Sequence, residues 1–264
     1  MPTPREAGSP GRSARGRLIV VLPAYNEAEA LGPLLERLES ALREDAPDYE
    51  VLVVDDGSTD ATGRVLDEYA RRLPIRVERH ERNLGLGVAV RDGLRRAVAM
   101  TTDADVVVVM DADNTHGPGL IRAMVEAIEN GADVVIASRF RTGSDVQGVP
   151  IHRRLLSVGA SALLRAVFPI GGVRDYTCGY RAYRAAVIRR AFLRYGDDFV
   201  DQRGFQSVVD ILLKLRALNL VFREVPIVLR YDLKPGASKM KVVRTIVGSL
   251  ALIARRRIGG WAGP

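Results

Sequence analysis

The stretch VVVVMDADNTH, residues 106–116, places four valines and a methionine directly ahead of Asp111 and Asp113. Runs of β-branched residues favour a strand covered on both faces, where an uncompensated charge is costly. The two acids should therefore lie at the exit of a buried strand. Residues two positions apart in an extended chain point to the same side, so both carboxylates can converge on one divalent cation.

The rest of the chain alternates strand-like and helix-like patterns. Further apolar, β-rich runs lie at residues 18–22, 51–54, 75–77 and 134–137. A stripe of leucines with helical spacing lies between the first two runs, at Leu31, Leu34, Leu35, Leu38 and Leu42. Segments 85–100 and 118–130 repeat the helical pattern, Asn26 and Glu29 suggest a capping box, and Asp60 can cap the second helix. The alternation predicts an α/β domain with a mainly parallel sheet and helices on both faces.

Ligands of such a sheet gather at the carboxyl ends of its strands. The polar clusters AYNE, DDGSTD and DADNTH all follow predicted strands. After residue 137 we expect arginine-rich loops, among them IHRRLLS and RDYTCGYRAYR, then a helix at about 205–218 and a strand in EVPIVLRY. This second half should complete the site rather than form a separate domain.

The chain divides into three predicted regions. Residues 1–17 contain arginines without an apolar core and are expected to be a disordered lead, and residues 18–233 form the catalytic domain. Residues 234–264 form a basic loop and an amphipathic tail containing VVRTIVGSLALIA, which is interrupted by Arg244. This stretch is too short to span a bilayer but suits a helix lying on its surface.

Charge and cysteine content indicate partners and compartment. The net charge is +7 and the pI about 9.8, which favours anionic partners such as nucleotides or phospholipid head groups. Between residues 230 and 257 the basic residues are accompanied by a single aromatic, Tyr231, so nucleic acid is not an expected partner. The single cysteine, Cys178, excludes an internal disulfide framework and suits a reducing, cytoplasmic location.

Two other interpretations of the DAD motif are a solvated surface turn and a calcium-binding EF-hand. The EF-hand fails because His116 stands where a glycine is needed and Arg122 where a bidentate glutamate is needed. A Mg²⁺ or Mn²⁺ ion held by one or two carboxylates and completed by substrate phosphates is favoured. The histidines are widely separated, so a zinc site is not expected.

The ends of the first two strands suggest a nucleoside site. Pro23 and Tyr25 can present a rigid edge to a base or ribose, and Glu27 can accept a hydrogen bond from either. Asp55 is the preferred ligand after the second strand, with Asp56 left open. The glycine-rich segment 83–93 lacks the third glycine of a dinucleotide loop. The arginines after residue 137 suit a diphosphate leaving group and an anionic acceptor.

The joint order of PAYNE, VVDDGSTD, NLGLGVAVRDG, MDADNTH, SRF, HRRLLS, DYTCGYRAYR, EVPI and GASKM resembles family-2 glycosyltransferases with the GT-A fold. Within that family it is most similar to dolichyl- and polyprenyl-phosphate mannose synthases, over about residues 18–241. The resemblance implies inverting transfer from a nucleotide sugar, GDP-mannose being favoured, to a lipid phosphate at the cytoplasmic membrane face. UDP-glucose or another donor, and a soluble hydroxyl acceptor, remain alternatives.

The resemblance also implies residue roles. Asp111 and Asp113 would bind the metal and, with Arg139 and Arg153, form the catalytic set. Donor binding would fall to Pro23, Ala24, Tyr25, Glu27, Asp55, Ala112, Gln206, Arg230, Lys234 and Lys239. Acceptor binding would fall to Arg139, Arg153, Arg154 and Ser157.

The sequence departs from the family pattern at several positions. Thr115 replaces a frequent glutamine, Gln206 and Asp210 stand where a lysine and a glutamate are frequent, and DYTCGYR replaces D-x-x-S-G-F. These changes leave the sugar and the acceptor open. Many relatives carry C-terminal membrane helices, so this chain is expected to reach its lipid through the basic tail or a membrane partner protein. A hydroxyl acceptor would need a general base, for which Asp210 is the best candidate.

Overall fold

The structure is a computed structural model, and it describes residues 16–43, 48–233 and 248. The predicted lead before residue 16 and nearly all of the predicted basic tail therefore lie outside the described residues. Within the described part of the chain, every helix is too short or too polar to cross a bilayer.

A seven-stranded sheet forms the centre of the domain. Its strands, in chain order, are β1 (Leu18–Ala24), β2 (Tyr49–Asp55), β3 (Ile75–Arg79), β4 (Val106–Val109), β5 (Val134–Ser138), β7 (Arg181–Arg184) and β8 (Phe222–Pro226). The spatial order is β3-β2-β1-β4-β7-β5-β8, and all neighbours are parallel except the two pairs that include β7. The predicted α/β domain with a mainly parallel sheet is confirmed.

Helices cover this sheet. They are α1 (Ala28–Leu42), α2 (Thr62–Tyr69), α3 (Leu86–Ala99), α4 (Leu120–Glu129), α5 (Ile151–Val167), α6 (Ala185–Tyr195) and α7 (Gln206–Arg216). Every residue of β1, β4 and β5 is buried, as expected for strands covered on both faces. The predicted leucine stripe of α1 is also buried, from Leu31 to Leu42.

The start of α1 differs from the prediction. The helix has Glu27 at its N-cap and no side-chain cap hydrogen bond, so the predicted capping box of Asn26 and Glu29 is wrong. The Asn26 side chain instead accepts from the backbone N–H of Thr59, in the loop after β2. Asp60 in that loop accepts from the N–H of Thr62, the first residue of α2.

The expectation of a loop throughout RDYTCGYRAYR is wrong, because its last four residues form β7. This strand pairs antiparallel with both β4 and β5. Arg181 made the segment look exposed, but the residue is 1% exposed and its guanidinium donates to the carbonyls of Val208 and Tyr176. An arginine can enter a sheet interior when backbone carbonyls accept its protons.

The expectation of a loop at IHRRLLS is also wrong, because this segment begins α5. Pro150 stands at the N-cap, a position where the fixed φ of proline is compatible with a helix start. Three of the four leucines of α5 are exposed and only Leu164 is buried, so the sequence lacks the inward apolar stripe by which a surface helix is normally predicted.

A second, two-stranded sheet lies beside the DADNTH turn. β6 (Asp145–Gln147) pairs with β9 (Val228–Arg230), and Leu229 of β9 also bridges to His116. The predicted strand EVPIVLRY is therefore divided between β8 of the main sheet and β9 of the small one. This division brings Arg230 to the loop that follows β4.

The glycine-rich loop before α3 packs directly on the chain ahead of α7. The Gly87 N–H donates to the Arg203 carbonyl over 3.0 Å, and a Cβ at Gly87 would lie 1.7 Å from the Gln202 carbonyl oxygen. Gly85 has a φ of +100°, and a Cβ there would lie 2.6 Å from the Arg203 carbonyl oxygen. These two glycines allow the backbone at the start of α3 to contact the backbone ahead of α7. We therefore assign them this packing role and not the binding of a dinucleotide.

We expect Gly87→Ala to lower the free energy of unfolding by about 2 kcal/mol, because the loop must move away from Gln202. Gly159→Ala is the matched control, since Gly159 lies within α5 and a Cβ there meets nothing within 4 Å. Alanine should stabilise that position slightly. Urea denaturation measures both changes, and equal stability of the two variants would contradict the proposed backbone contact.

Candidate active site

The carboxyl ends of β1, β2 and β4 meet at one edge of the sheet. Ala24 at the end of β1 pairs with Asp55 at the end of β2. On the other side of β1, the Met110 N–H donates to the Val21 carbonyl over 3.1 Å, one residue before Asp111. The residues predicted to bind the nucleoside and the metal therefore lie along the same edge.

Hydrogen bonds join the loops that follow β1 and β2. Asn26 has a left-handed φ of 53°, and its N–H donates to Ser58 Oγ over 2.9 Å. Its side-chain oxygen accepts from the Thr59 N–H over 2.8 Å, and the Glu27 N–H donates to Thr62 Oγ1 over 2.9 Å. The partly buried Tyr25 and Glu27 are thus held on a fixed turn at this edge.

The two adjacent acids after β2 have different surroundings. The Asp56 carboxylate accepts from the N–H groups of Leu84 and Gly85, and lies 2.7 Å from His80 Nδ1. It anchors the glycine-rich loop. Asp55 Oδ1 accepts from the Ser58 N–H over 3.0 Å, within the nucleoside edge itself. This arrangement favours Asp55 as the ligand residue of the pair.

The DADNTH segment forms a tight turn in which the second acid is held in place. Asp113 Oδ1 accepts from Thr115 Oγ1 at 2.7 Å and from the Thr115 N–H at 3.2 Å. Asn114 between them has a φ of 62°, and its side-chain oxygen accepts from Arg37 Nη1 at 2.5 Å. Thr115, the replacement for the frequent glutamine, therefore bonds to the predicted metal ligand.

Asp111 is bordered by His116 and by the chain that leads into β7. The Asp111 N–H donates to His116 Nδ1 over 3.4 Å, and the His116 ring stacks on Tyr180 with centroids 5.0 Å apart. A Cβ at Gly179 would lie 3.9 Å from Asp111 Oδ1. The small residue at 179 leaves room beside this carboxylate.

The donor set fits a hard divalent cation that shares its coordination with phosphate. Asp111 and Asp113 are partly buried and buried, respectively, at a strand exit. Within residues 16–43 and 48–233, no group of three His, Cys, Asp or Glu side chains is arranged to hold a metal by itself. Magnesium and manganese sites of nucleotide enzymes usually take one or two carboxylates and complete their shell with phosphate and water.

Arg139 forms an ion pair with Asp175, in which the carboxylate is buried and the arginine side chain is 21% exposed. Its Nε and Nη2 donate to the two carboxylate oxygens over 2.8 and 2.6 Å, and Nη2 also donates to Thr177 Oγ1 over 2.6 Å. Burial opposes the charged form of Arg139, but the adjacent carboxylate outweighs it and raises the pKa of the guanidinium. Burial likewise opposes ionisation of Asp175, but Arg139 outweighs it and lowers the pKa of the carboxyl.

The predicted acceptor residues are partly brought together. Ser157 Oγ on α5 lies 3.1 Å from Thr177 Oγ1, so Ser157 and Arg139 contact the same hydroxyl group. Arg154 is exposed on α5, one turn before Ser157. Arg153 lies on the same helix, but its side chain is outside what the structure describes.

Gln206 is the first residue of α7, and Asp210 lies one turn further along. Asp210 Oδ2 accepts from Lys214 Nζ over 2.5 Å, and the same ammonium lies 3.1 Å from Asp201 Oδ1. Burial and a hydrogen bond with Asp201 raise the pKa of Asp210 to about 6. The acid is thus engaged in a buried ion cluster under α7.

Of the three basic residues predicted near the C-terminus, the structure describes one, Arg230. The Arg230 N–H donates to the Thr115 carbonyl over 3.0 Å, which places this residue beside the DADNTH turn. Its guanidinium forms a bidentate pair with Asp232. Lys234 and Lys239 lie outside the described residues.

Sequence reasoning missed Asp175 and Thr177 as partners of Arg139. The available signal was an acid followed by a hydroxyl residue within the arginine-rich DYTCGYR stretch. Cys178 lies in the interior of the domain. Its thiol is buried, and burial raises its pKa to about 12, which disfavours the thiolate needed for nucleophilic attack.

Comparisons with known proteins identify the family of the chain. The model of glycosyl transferase family 2 matches residues 19–192, so the chain belongs to that family. It is 38% identical over 232 residues to a polyprenol monophosphomannose synthase of Mycolicibacterium smegmatis, covering 85% of this chain and 81% of the relative. It is 35% identical over 226 residues to a dolichol-phosphate mannosyltransferase of Pyrococcus furiosus, covering 85% of this chain but only 59% of that relative.

Solved structures support the fold assignment. A glucosyl-3-phosphoglycerate synthase of Mycobacterium tuberculosis in complex with Mn²⁺, UDP and phosphoglyceric acid has a TM-score of 0.66 and 23% identity, covering 94% of this chain and 84% of that one. The same enzyme with Mg²⁺ and UDP has a TM-score of 0.67 and 22% identity, covering 95% and 85%. These similarities confirm the predicted GT-A fold.

We expect Asp175→Asn to lower the free energy of unfolding by about 3 kcal/mol at neutral pH, because it leaves Arg139 buried without its counter-charge. The lowered pKa of Asp175 means that its stabilisation is present above the unfolded value of about 4 and is lost as pH falls. The variant should therefore also lose part of the acid dependence of stability.

Glu126→Gln is the matched control, because the exposed pair of Arg122 and Glu126 should contribute less than about 1 kcal/mol. Urea titrations at a series of pH values measure both effects. Similar losses in the two variants would show that the Arg139–Asp175 pair has no special importance.

Proposed function

We propose that the protein is an inverting mannosyltransferase that moves mannose from GDP-mannose to a polyprenyl or dolichyl phosphate. The observation that carries this proposal is the position of Asp111 and Asp113. Both follow β4 and lie on the edge that also carries Asp55 and the Pro23–Glu27 turn. The names of the 35–38% identical relatives supply the substrate class.

The donor nucleoside is assigned to the ends of β1 and β2. Pro23 and Ala24 are buried and form the inner surface of this edge, whereas Tyr25 and Glu27 are partly exposed. Asp55 is assigned to accept a hydrogen bond from the sugar or the base of the nucleoside. Ala112 stands between the two metal ligands in the sequence, and its small side chain leaves room for the donor. Gln206, Arg230 and, outside the described residues, Lys234 and Lys239 are assigned to the diphosphate side of the donor.

A Mg²⁺ or Mn²⁺ ion bound by Asp111 and Asp113 would supply positive charge against the charge that develops on the departing diphosphate. Both acids are held before the donor binds. Thr115 fixes one oxygen of Asp113, and the Asp111 backbone is held by His116. Preorganised ligands reduce the reorganisation that the reaction requires.

The acceptor phosphate is assigned to the side of the site formed by Arg139, Arg153, Arg154 and Ser157. A phosphate oxygen attacks the anomeric carbon from the face opposite the leaving group. The bond from that carbon to the GDP oxygen breaks, GDP departs with the electron pair, and the sugar is attached to the lipid phosphate with inverted configuration. An ionised phosphate needs orientation rather than a general base.

The alternative with a soluble hydroxyl acceptor requires a base near the anomeric carbon. Asp210, the best candidate from sequence, is buried and bonded to Lys214. Its environment therefore favours the phosphate acceptor. UDP-glucose and other nucleotide sugars remain testable donors, since the residues assigned to the base do not themselves distinguish guanine from uracil.

A lipid acceptor requires contact with a membrane. We assign the enzyme to the cytoplasmic face, held peripherally by the basic tail within residues 234–264 or by a membrane partner protein. This tail lies outside the described residues. Nucleic acid is not part of the proposed function.

The donor and acceptor are tested together by incubating the protein with radiolabelled GDP-mannose or UDP-glucose and a short polyprenyl phosphate in detergent. We expect label in the lipid fraction only with GDP-mannose and a divalent cation. Transfer from UDP-glucose, with none from GDP-mannose, would show that the assigned donor is wrong. Transfer only to soluble hydroxyl compounds would reject the lipid acceptor.

We expect Asp113→Asn to lower transfer at least about a hundredfold, because the variant loses one anionic metal ligand while keeping the shape of the turn. Its melting temperature should stay within a few degrees of the wild type. Asp67→Asn, at an exposed acid on α2, is the control and should keep full activity. Undiminished turnover of Asp113→Asn at limiting Mn²⁺ would refute the metal role.

A further inference from the structure

Arg37 of α1 contacts the DADNTH turn from the other side of the donor edge. Helix α1 begins at Ala28, directly after the Pro23–Glu27 turn, and Arg37 lies in its third turn. Its Nη1 donates to Asn114 Oδ1 over 2.5 Å and to the Asn114 carbonyl over 3.3 Å. One helix therefore follows the turn assigned to the nucleoside and also contacts the turn assigned to the metal.

Asn114 gives the DADNTH turn its unusual backbone conformation. Its φ of 62° lies in the left-handed region, which asparagine tolerates better than most residues with a side chain. Such a conformation persists where the surrounding contacts determine it. Asn114 is 7% exposed, and its side-chain oxygen and its carbonyl both accept from the Arg37 guanidinium. Arg37 therefore fixes the chain directly after Asp113.

The segment that Arg37 fixes is bonded to the second acid. Asp113 Oδ1 accepts from the Thr115 N–H and hydroxyl, so the chain must turn back at the residue between them. The Thr115 carbonyl in turn accepts from the Arg230 N–H of β9. The turn is thus attached to β9 through Thr115 and to α1 through Asn114.

The contact of Arg37 extends to the end of the turn. A Cβ at Gly117 would lie 3.9 Å from Arg37 Nη2, and the Gly117 carbonyl accepts from the Tyr180 hydroxyl over 3.2 Å. The Tyr180 ring stacks on His116, whose Nδ1 accepts from the Asp111 N–H. Arg37 therefore lies against the chain that supports the first acid as well as the second.

From these contacts we infer that Arg37 is a positioning residue for the divalent cation, acting through Asn114. The guanidinium holds the turn that carries Asp111 and Asp113 in one shape before the cation arrives, so that binding requires little rearrangement. Removal of a residue that orients metal ligands typically lowers metal affinity by about ten- to hundredfold. The inference rests on the proposed metal role of the two acids and adds a residue of α1 to the site.

The sign of the effect separates positioning from simple electrostatics. A guanidinium repels a nearby cation, so removal of a charge without a positioning role would strengthen Mn²⁺ binding or leave it unchanged. Removal of a positioning residue would weaken Mn²⁺ binding, because the free turn gains conformations that do not bind. The two roles therefore predict different changes in the same measurement.

The first test replaces the guanidinium by an unbranched neutral side chain. We expect Arg37→Met to raise the Kd for Mn²⁺ about tenfold, measured by electron paramagnetic resonance at saturating GDP. Arg37→Lys, which keeps the charge without the planar fork, should give a smaller rise. Arg43→Met is the matched control at the end of the same helix, since Arg43 is 72% exposed, and it should bind Mn²⁺ as the wild type does. Binding by Arg37→Met that equals or exceeds the wild-type affinity would overturn the inference.

A second variant tests whether Arg37 acts through Asn114. Asn114→Gly keeps access to the left-handed conformation but removes the acceptor side chain. It should also weaken Mn²⁺ binding, and the double variant with Arg37→Met should bind about as well as the weaker single variant, because both changes remove one contact. Fully additive losses would show that Arg37 acts elsewhere, which contradicts the inference.

A measurement without metal checks that the turn itself loosens. In protein free of Mn²⁺ and GDP, the Thr115 and Arg230 amide hydrogens should exchange with solvent faster in Arg37→Met than in the wild type. The amides of β1 should keep their wild-type rates, because Arg37 is only partly buried and the fold should tolerate its loss. Wild-type exchange at Thr115 would show that the turn is held without Arg37.

Activity measurements keep this inference distinct from the proposed function. If the wild type transfers mannose but Arg37→Met binds Mn²⁺ as tightly as the wild type, the positioning inference alone fails. If Arg37→Met weakens Mn²⁺ binding but the wild type transfers sugar to no lipid phosphate, the proposed function alone fails.

Discussion

The parallel pairing of β1 with β2 and β4 is the constraint on which the site depends. All three strands run through an apolar interior, so charged side chains are admitted only where the strands leave it. Because the strands are parallel, their three exits fall on one edge. This edge brings together the Pro23–Glu27 turn, Asp55 and Asp111, which come from three separate parts of the sequence.

Strands and their exits were predictable because they depend on local composition. The valine run 106–109 predicted the central strand and placed the two following acids at its exit, and the leucine stripe predicted α1. The preference for Asp55 over Asp56 stays a prediction, which the bonds from Asp56 to the glycine-rich loop favour. The strand and the helix follow from residues near one another in the chain.

The failures concern residues whose partners are far along the chain. β7 contains an arginine that a local pattern cannot place inside a sheet, because one of the carbonyls that accept its protons belongs to Val208, 27 residues away. Asp175, the partner of Arg139 that the sequence did not reveal, lies 36 residues away, and the phosphate-binding role of Arg139 stays a prediction. α5 was missed for a different reason, since five of its large apolar side chains are exposed, which departs from the rule that apolar stripes face the core.

The buried Arg181 has an electrostatic consequence for the neighbouring edge. It pairs across the sheet with Val109, two residues before Asp111. Bulk water screens this charge less than it screens the charge of a surface arginine, because the residue is only 1% exposed. The sheet therefore holds a weakly screened positive charge beside the strand that leads to the two acids.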